Sequence, residues 1–270
     1  MENQSNGSEP IIDLKGLKKA FGKKTVLDGI DLEVARGQIL GYIGPNGAGK
    51  TTTVKILIGM LDGFLGSVNV CGFNVATAPL EVKRRVGYVP ETAAMYDALT
   101  PMEYLQFVGR LYGLEIVEVE KRAEEMLALF ELSKEKKKRM STFSKGMRQK
   151  VLIIAGLIHD PELIIMDEPL SGLDANSAVM VKEVLAGLAR EGKTIFYCSH
   201  VMDVVERICD RIVILAEGRI IADGSFEALQ AMSKAPSLES LFTRLTSEGT
   251  HRDVATRFIR AFMKPGEGNG

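Results

Sequence analysis

The residues best suited to chemistry form the short segment GPNGAGKT at positions 44–51. Its glycines permit a tight turn in which successive backbone N–H groups can face the oxygens of a phosphate. Lys50 can reach the outer phosphates of a nucleotide, and the Thr51 hydroxyl can ligate Mg²⁺. The strand-like QILGYI precedes the segment and the helix-like TTTVKILIGML follows it, which adds a positive helix end. The segment therefore predicts nucleotide binding.

A second pair of reactive side chains ends the apolar segment LIIMDEP, residues 163–169. A buried strand that ends in carboxylates exposes them at its C-terminal edge, where α/β sheets bind their ligands. We expect Asp167 to hold Mg²⁺ and Glu168 to orient or deprotonate the attacking water. A strand end with solvated acids is the alternative, and the nearby phosphate-binding segment disfavours it.

The segment TFSKGMRQK, residues 142–150, allows two interpretations. It is either a helix start with surface lysines or half of a catalytic site that a second molecule completes. Ser144 and Gly146 flank Lys145 just ahead of the apolar run VLIIAGLI, and a helix N-terminus there could bind an anion. The segment itself does not decide between the two interpretations.

Strand and helix patterns indicate how these residues are positioned. Short β-rich segments predict strands early, in IIDL, TVLDGIDLEV and QILGYI, and late, in LIIMD, TIFYCS and RIVIL. Between about residues 92 and 158 the apolar spacing is helical, and Thr100, Pro101 and Glu103 form a strong helix start. The pattern predicts an α/β domain over residues 11–232 with an inserted helical block.

The two ends of the chain differ from this domain. Residues 1–10 are polar and predict a disordered lead-in. Residues 233–270 predict a helical extension with a flexible end, in which SLESLFTRL and HRDVATRFIRAFMK are helical. The second of these helices could dock on its own domain, which is the commoner case, or lie on a membrane or a partner.

Composition excludes several classes of protein. The 270 residues are 46% hydrophobic and 26% charged, with a net charge of −1, so no basic field recruits nucleic acid or anionic lipid. The three cysteines have neither zinc-site spacing nor an even count. No signal peptide is evident, and no apolar run approaches the roughly 20 residues that span a bilayer. We expect a soluble protein of a reducing compartment that reaches membranes only through a partner.

Together these motifs resemble the ATP-binding subunits of ABC transporters over about residues 11–225. GPNGAGKT resembles the Walker A motif, LIIMDE the Walker B motif with its catalytic glutamate, and SGLD the D-loop. His200, directly after TIFYCS, resembles the switch histidine, and FSKGM lies where the family carries its LSGGQ signature. The resemblance implies an ABC ATPase fold: a P-loop NTPase core with an antiparallel β subdomain and a helical subdomain inserted at about residues 92–158.

The resemblance also implies how these parts act. Two such domains pair head to tail, with ATP between the P-loop of one and the signature of the other, which favours the half-site interpretation. Catalytic roles fall to Lys50, Glu168 and His200, and Mg²⁺ ligation to Thr51, Asp167 and Glu91. The residues expected to bind ATP are Phe21, which would stack on adenine, Gly44, Pro45, Asn46, Gly47, Ala48, Gly49, Lys50, Thr51, Thr52, Ser144, Gly146 and Asp174.

The sequence departs from the family pattern at several positions. In the signature, Lys145 replaces the first glycine, Phe143 the leucine and Met147 the glutamine. Lys145 either adds positive charge near the γ-phosphate or points into solvent. Glu91 stands at the Q-loop glutamine position; it could ligate Mg²⁺ but cannot donate hydrogen bonds, or it is a surface-loop residue. With GYVPE and LTPMEYL, these substitutions resemble exporters that have ABC-2-type permeases.

We therefore expect an ATPase at the cytoplasmic face of the membrane that uses ATP and Mg²⁺ to drive export through a separate transmembrane permease. A second nucleotide-binding subunit, identical or not, would complete the dimer. The alternative is a soluble ABC ATPase that acts on nucleic acid or ribosomes. A single P-loop, no long heptad run and no basic field disfavour it, so no nucleic-acid partner is expected. His159 and His251 are expected to be structural or exposed.

Overall fold

A computed structural model describes residues 9–92, 95–233 and 236–246. Within these ranges the strands are β1 (Ile12–Phe21), β2 (Lys24–Val34), β3 (Ile39–Ile43), β4 (Leu65–Val70), β5 (Phe73–Asn74), β6 (Val86–Val89), β7 (Leu163–Asp167), β8 (Thr194–Cys198), β9 (Arg211–Ala216) and β10 (Arg219–Gly224). The α-helices are α1 (Lys50–Leu57), α2 (Pro79–Arg85), α3 (Pro101–Leu111), α4 (Ile116–Leu129), α5 (Lys145–Leu157), α6 (Ala175–Arg190), α7 (Met202–Ile208), α8 (Phe226–Ser233) and α9 (Leu238–Thr246).

The first sheet is antiparallel and orders its strands β2-β1-β4-β5. Buried and more exposed side chains intermix along β1 and β2, because one face of such a sheet covers the core and the other meets solvent. Leu14 of β1 pairs with Leu32 of β2 on one side and with Val68 of β4 on the other, and all three are buried. This sheet forms one wall of the core that supports the phosphate-binding segment.

The second sheet brings the reactive segments to a single edge. Its strand order is β10-β9-β3-β8-β7-β6, in which all pairs are parallel except the one between β10 and β9. Every residue of β3, β7 and β8 is buried, as expected for strands that are covered on both faces. Asp167 at the end of β7 pairs with Cys198 at the end of β8. The carboxyl ends of these strands therefore meet where the segment 44–51 begins.

The helices α3, α4 and α5 form the block between β6 and β7. At the start of α3, Glu103 N–H donates to Thr100 Oγ1 at 3.2 Å, and Thr100 N–H donates to Glu103 Oε2 at 2.8 Å. Pro101 occupies the first helical position, so the predicted helix start is present. The helices α3 and α4 pack closely at Gly109, where an added Cβ would lie 2.4 Å from the Val119 side chain.

Within the described residues, the helices α8 and α9 follow the second sheet, and α9 packs against both α8 and α7. Leu238 and Leu241 of α9 are buried, and Leu238 N–H donates to Glu206 Oε2 of α7 at 3.1 Å. The predicted helix SLESLFTRL is therefore present, whereas HRDVATRFIRAFMK lies outside the described residues. Among the helices of the described ranges, none is both long enough and apolar enough to cross a membrane.

Candidate active site

The segment 44–51 forms a tight loop between β3 and α1. Gly49 has a φ of +113°, and an added Cβ there would lie 2.5 Å from the Leu27 side chain. An added Cβ on Gly44 would lie 2.3 Å from the Leu215 carbonyl oxygen. Both positions therefore require glycine, because any side chain would meet packed neighbours. The loop leads into the first turn of α1, whose free N–H groups can bind an anion.

Lys50 lies folded over this loop. Its ammonium donates to the Gly44 carbonyl at 2.6 Å and to the Pro45 carbonyl at 3.2 Å. A lysine ammonium has three donors and no acceptor, so it can exchange these carbonyls for phosphate oxygens while the chain stays in place. The loop thus holds its cation at the point where the phosphates are expected.

Thr51 and Asp167 form a polar pair that suits a divalent cation. Thr51 Oγ1 donates to Asp167 Oδ2 at 3.4 Å, and Asp167 is only 6% exposed. Burial first, and then the neighbouring Glu168 carboxylate, raise the pKa of Asp167 above its ordinary value. A cation would offset this repulsion, and hydroxyl and carboxylate oxygens are ligands that Mg²⁺ accepts, so the residues fit the metal. Within the described ranges no cluster of three His, Cys, Asp or Glu could hold a metal alone, so ATP and water would supply further ligands.

Glu168 lies beside Asp167 in a strained backbone conformation, with a φ of +50°. Its N–H donates to the Cys198 carbonyl at 2.9 Å. Ser199 Oγ donates to one oxygen of its carboxylate at 3.0 Å, and His200 Nδ1 lies 2.7 Å from the other. Because an ionised carboxylate only accepts hydrogen bonds, Nδ1 carries the hydrogen in this contact. The sequence did not predict Ser199, whose position directly before His200 could have identified it.

A cleft of about 590 Å³ brings many of these groups together. It is lined by Gly44, Pro45, Asn46, Glu91, Glu168, His200, Met202, Glu239, Phe242 and Thr243. Glu91 is exposed, and its charge contributes to the raised pKa of Asp167. The contribution of α9 to this cleft was not predicted, because nothing in SLESLFTRL distinguishes a helix at a site from a helix that only packs.

Ser144 and Gly146 lie at the beginning of α5 and are not among the residues that line the cleft. The Ser144 hydroxyl caps α5 by accepting a backbone hydrogen bond at 3.2 Å. An added Cβ on Gly146 would lie 2.6 Å from the Gly172 carbonyl oxygen, so α5 directly contacts the turn that carries SGLD. The exposed Lys145 donates to Ser171 Oγ in the same turn at 2.7 Å. Ser144 and Gly146 are therefore not part of the cleft lining of their own chain.

The remaining predicted nucleotide contacts also lie outside the cleft lining. Phe21 ends β1 and is 50% exposed, with the Lys19 ammonium 5.1 Å from its ring centroid, so it is not a core residue. Asp174 caps α6 and accepts hydrogen bonds from the Ser177 N–H at 2.9 Å and the Ser177 hydroxyl at 2.5 Å. These bonds lower the pKa of Asp174. Gly47, Ala48 and Thr52 belong to the loop and the first turn of α1.

His159 lies away from the cleft and packs between elements. Its ring stacks on Tyr112 with 3.5 Å between centroids, and its Nε2 lies 3.3 Å from the Val86 carbonyl oxygen. Burial lowers the pKa of His159 to about 4, so the ring is neutral near pH 7. This environment is that of a structural histidine, one of the two outcomes expected from the sequence.

Comparison with known proteins agrees with this geometry. The ABC transporter family model matches residues 27–171. The linearmycin resistance ATP-binding protein LnrL of Bacillus subtilis is 40% identical over 215 residues, which cover 80% of this chain and 69% of that protein. The chain belongs to the ABC transporter family. The resemblance of its motifs to those of ABC transporter ATP-binding subunits is therefore confirmed.

Two further ABC proteins extend the comparison. The Nod factor export ATP-binding protein I of Ralstonia nicotianae is 38% identical over 218 residues, covering 81% of this chain and 68% of its own. A solved ATP-binding subunit of an ABC transporter superposes with a TM-score of 0.83 at 33% identity, over 88% of this chain and all of its own. The predicted ABC ATPase fold is confirmed. This chain is the ATP-binding subunit of an ABC transporter, and it is an ATPase.

Proposed function

We propose that this ABC subunit hydrolyses ATP to drive export through a separate membrane permease. The observation that carries the proposal is the Glu168 carboxylate, held by Ser199 and His200 beside the Thr51 and Asp167 pair. A module that only bound ATP would have no use for an oriented base at this point. Linearmycin resistance and Nod factor export, the roles in the names of two relatives, favour export.

Each residue of the site has a separate role in the reaction. Lys50 and the loop N–H groups bind the phosphates, while Thr51 and Asp167, with Glu91 of the cleft lining, would hold Mg²⁺. The metal supplies positive charge to the phosphate oxygens. Glu168 takes a proton from water as the water oxygen bonds to the γ-phosphorus. The bond from that phosphorus to the bridging oxygen breaks, and its electron pair leaves with ADP.

A second nucleotide-binding copy completes each site. Ser144 is exposed at the positive end of α5, where its hydroxyl and the free N–H groups of the first turn are available to a phosphate. These groups lie outside the cleft of their own chain, so they would bind the phosphate of a nucleotide in the cleft of a second chain. ATP closes the pair only to the extent that it binds the closed pair more tightly than the open one.

An apolar surface beside the helical block suits the permease. Met60, Leu80 and Leu111 are 63%, 67% and 70% exposed, and they line a single cavity of about 430 Å³. Lys83 and Arg84 also line it. Clustered large apolar side chains on a surface indicate a protein contact. We assign this surface to contact with the permease. Such a contact would hold the subunit at the cytoplasmic face of the membrane.

Copurification from gently solubilised native membranes tests this assignment. We expect mass spectrometry of the tagged protein to find a polytopic membrane protein in stoichiometric amount. Leu111→Asp should lose that protein while the ATPase activity remains. Leu65→Asp is the matched control and should keep the membrane protein, because Leu65 at the start of β4 is also 70% exposed but does not line this cavity. A ribosome or a DNA-bound complex in place of the membrane protein would contradict the proposed function.

A further inference from the structure

The helix α9 presents one face to the nucleotide cleft. Glu239, Phe242 and Thr243 follow helical spacing and line the same cleft as Asn46 and His200. Phe242 also packs against the core, whereas Glu239 and Thr243 are exposed. A side chain of a partner that enters the cleft with the nucleotide would therefore contact this face of α9.

The position of α9 is fixed by its opposite face. Leu238 and Leu241 are 0% and 2% exposed, and the Leu238 N–H donates to Glu206 of α7. The helix α7 begins at Met202, two residues after His200. The helix that carries Glu239 is thus packed against the segment that carries the switch histidine. A partner that closes the cleft would therefore contact Glu239 without any movement of α9.

The cleft is short of positive charge. Its titratable lining consists of Glu91, Glu168, Glu239 and His200, and the adjoining loop adds the single ammonium of Lys50. A nucleotide that enters brings several more negative charges. One ammonium does not offset all of these charges, so further cations from outside the chain would be required, and an Mg²⁺ held near Asp167 would be one of them.

We propose that Glu239 of one copy binds Lys145 of a second copy when the two copies enclose ATP. This inference rests on the proposed function, in which Ser144 and Gly146 enter the cleft of the other copy. Lys145 lies between them, is exposed, and is hydrogen-bonded in its own chain to the neutral Ser171 hydroxyl. An exposed carboxylate is a stronger partner for this ammonium than a hydroxyl.

The pair would have two consequences for the dimer. Two-fold symmetry repeats it at both sites, so each closed dimer carries the contact twice. Because complementary charges across an interface exclude partners of the wrong sign, the contact also favours a partner that has lysine at this signature position. The lysine that replaces the first signature glycine thereby acquires a role in the closed dimer.

Charge reversal in the Glu168→Gln protein tests the pair. With ATP and Mg²⁺, sedimentation measures the dissociation constant of the dimer. We expect Glu239→Lys and Lys145→Glu each to weaken the dimer by about tenfold, because attraction becomes repulsion at two sites. The double reversal, which restores opposite charges, should return the constant to within about twofold of the parent value.

The matched control is Glu227→Lys. Glu227 is exposed in the first turn of α8, as Glu239 is in the first turn of α9, so both changes lose the same favourable interaction with a helix N-terminus. Glu227→Lys should leave the dimer unchanged. Without ATP, Glu239→Lys and Glu227→Lys should have the same unfolding temperature. Equal temperatures would show that a weaker dimer does not arise from misfolding.

The contact between Glu239 and Lys145 would be contradicted if the single reversals had no effect or if the double reversal failed to restore the dimer. Neither result would affect the proposed function. A loss with Lys145→Glu alone would also contradict the contact, because the lysine would then act on the phosphate. If the parent Glu168→Gln protein formed no dimer with ATP, the two-copy site of the proposed function would fail, and the pair with it.

Discussion

Glu168 combines a side chain that is 12% exposed, a left-handed backbone and two hydrogen-bonding partners. Glu168→Gln preserves the shape of the side chain but cannot take a proton from water. We expect ATP binding to persist, hydrolysis to fall by about 10²–10⁴-fold, and an ATP-bound dimer to accumulate. Single-turnover phosphate release and gel filtration measure these changes. Glu217→Gln is the control, since Glu217 shares the left-handed backbone in an exposed turn.

Lys50 is the cation that the loop itself supplies to the phosphates. Lys50→Ala removes the charge-assisted bonds that its ammonium would form with the outer phosphates. We expect ATP affinity, measured by calorimetry, to fall by at least about tenfold, enough to abolish tight binding. Lys55→Ala, at an exposed position in the last turn of the same helix, should bind ATP as the unaltered protein does. Equal affinities for the two variants would show that the loop binds phosphate without the Lys50 charge.

At the scale of elements, His159 joins the helical block to the parallel sheet. It stacks on Tyr112, which follows α3, and contacts Val86 at the start of β6. The folded pKa is about 4, against an ordinary value of 6.5, so below pH 6.5 the unfolded chain binds a proton that the folded chain excludes. This contribution to stability is present above pH 6.5 and is lost as the pH falls towards 4.

His159→Phe should keep the stack on Tyr112 and remove this titration. We expect its melting temperature to fall less between pH 7 and pH 5 than that of the unaltered protein, by a difference of a few degrees. Asp160, Arg122 and Lys193 also act on the ring and are unchanged in the variant. Parallel pH profiles for the two proteins would show that the ring titrates in the folded state as it does in the unfolded chain.

Features that depend on neighbours in sequence were predictable, and those that depend on contacts between distant elements were not. Thr100 and Glu103 form the expected capping box because both partners belong to one turn. The contact between Glu168 and Ser199 follows from the pairing of β7 with β8, which no local pattern specifies. The position of α9 beside the cleft likewise depends on how its buried leucines pack against other helices.

At the scale of the molecule, the proposed function places the two halves of the site on different surfaces of one chain. Gly44, Pro45 and Asn46 of the phosphate loop line one cleft together with Glu168 and His200, while Ser144 begins a helix outside it. In the proposed dimer, two-fold symmetry would place one half from each copy at each of the two sites. Catalysis should therefore depend on residues from two chains, and defects in different halves should complement each other.

The most direct measurement is the ATPase activity of a mixture of Lys50→Ala and Ser144→Asp proteins. Aspartate retains the helix cap but opposes the γ-phosphate, so each variant alone should be inactive. Random pairing makes about half of the dimers mixed, each with one intact site of two, so the equimolar mixture should regain about a quarter of the normal activity. A mixture that remained as inactive as either variant alone would contradict a site shared between two copies.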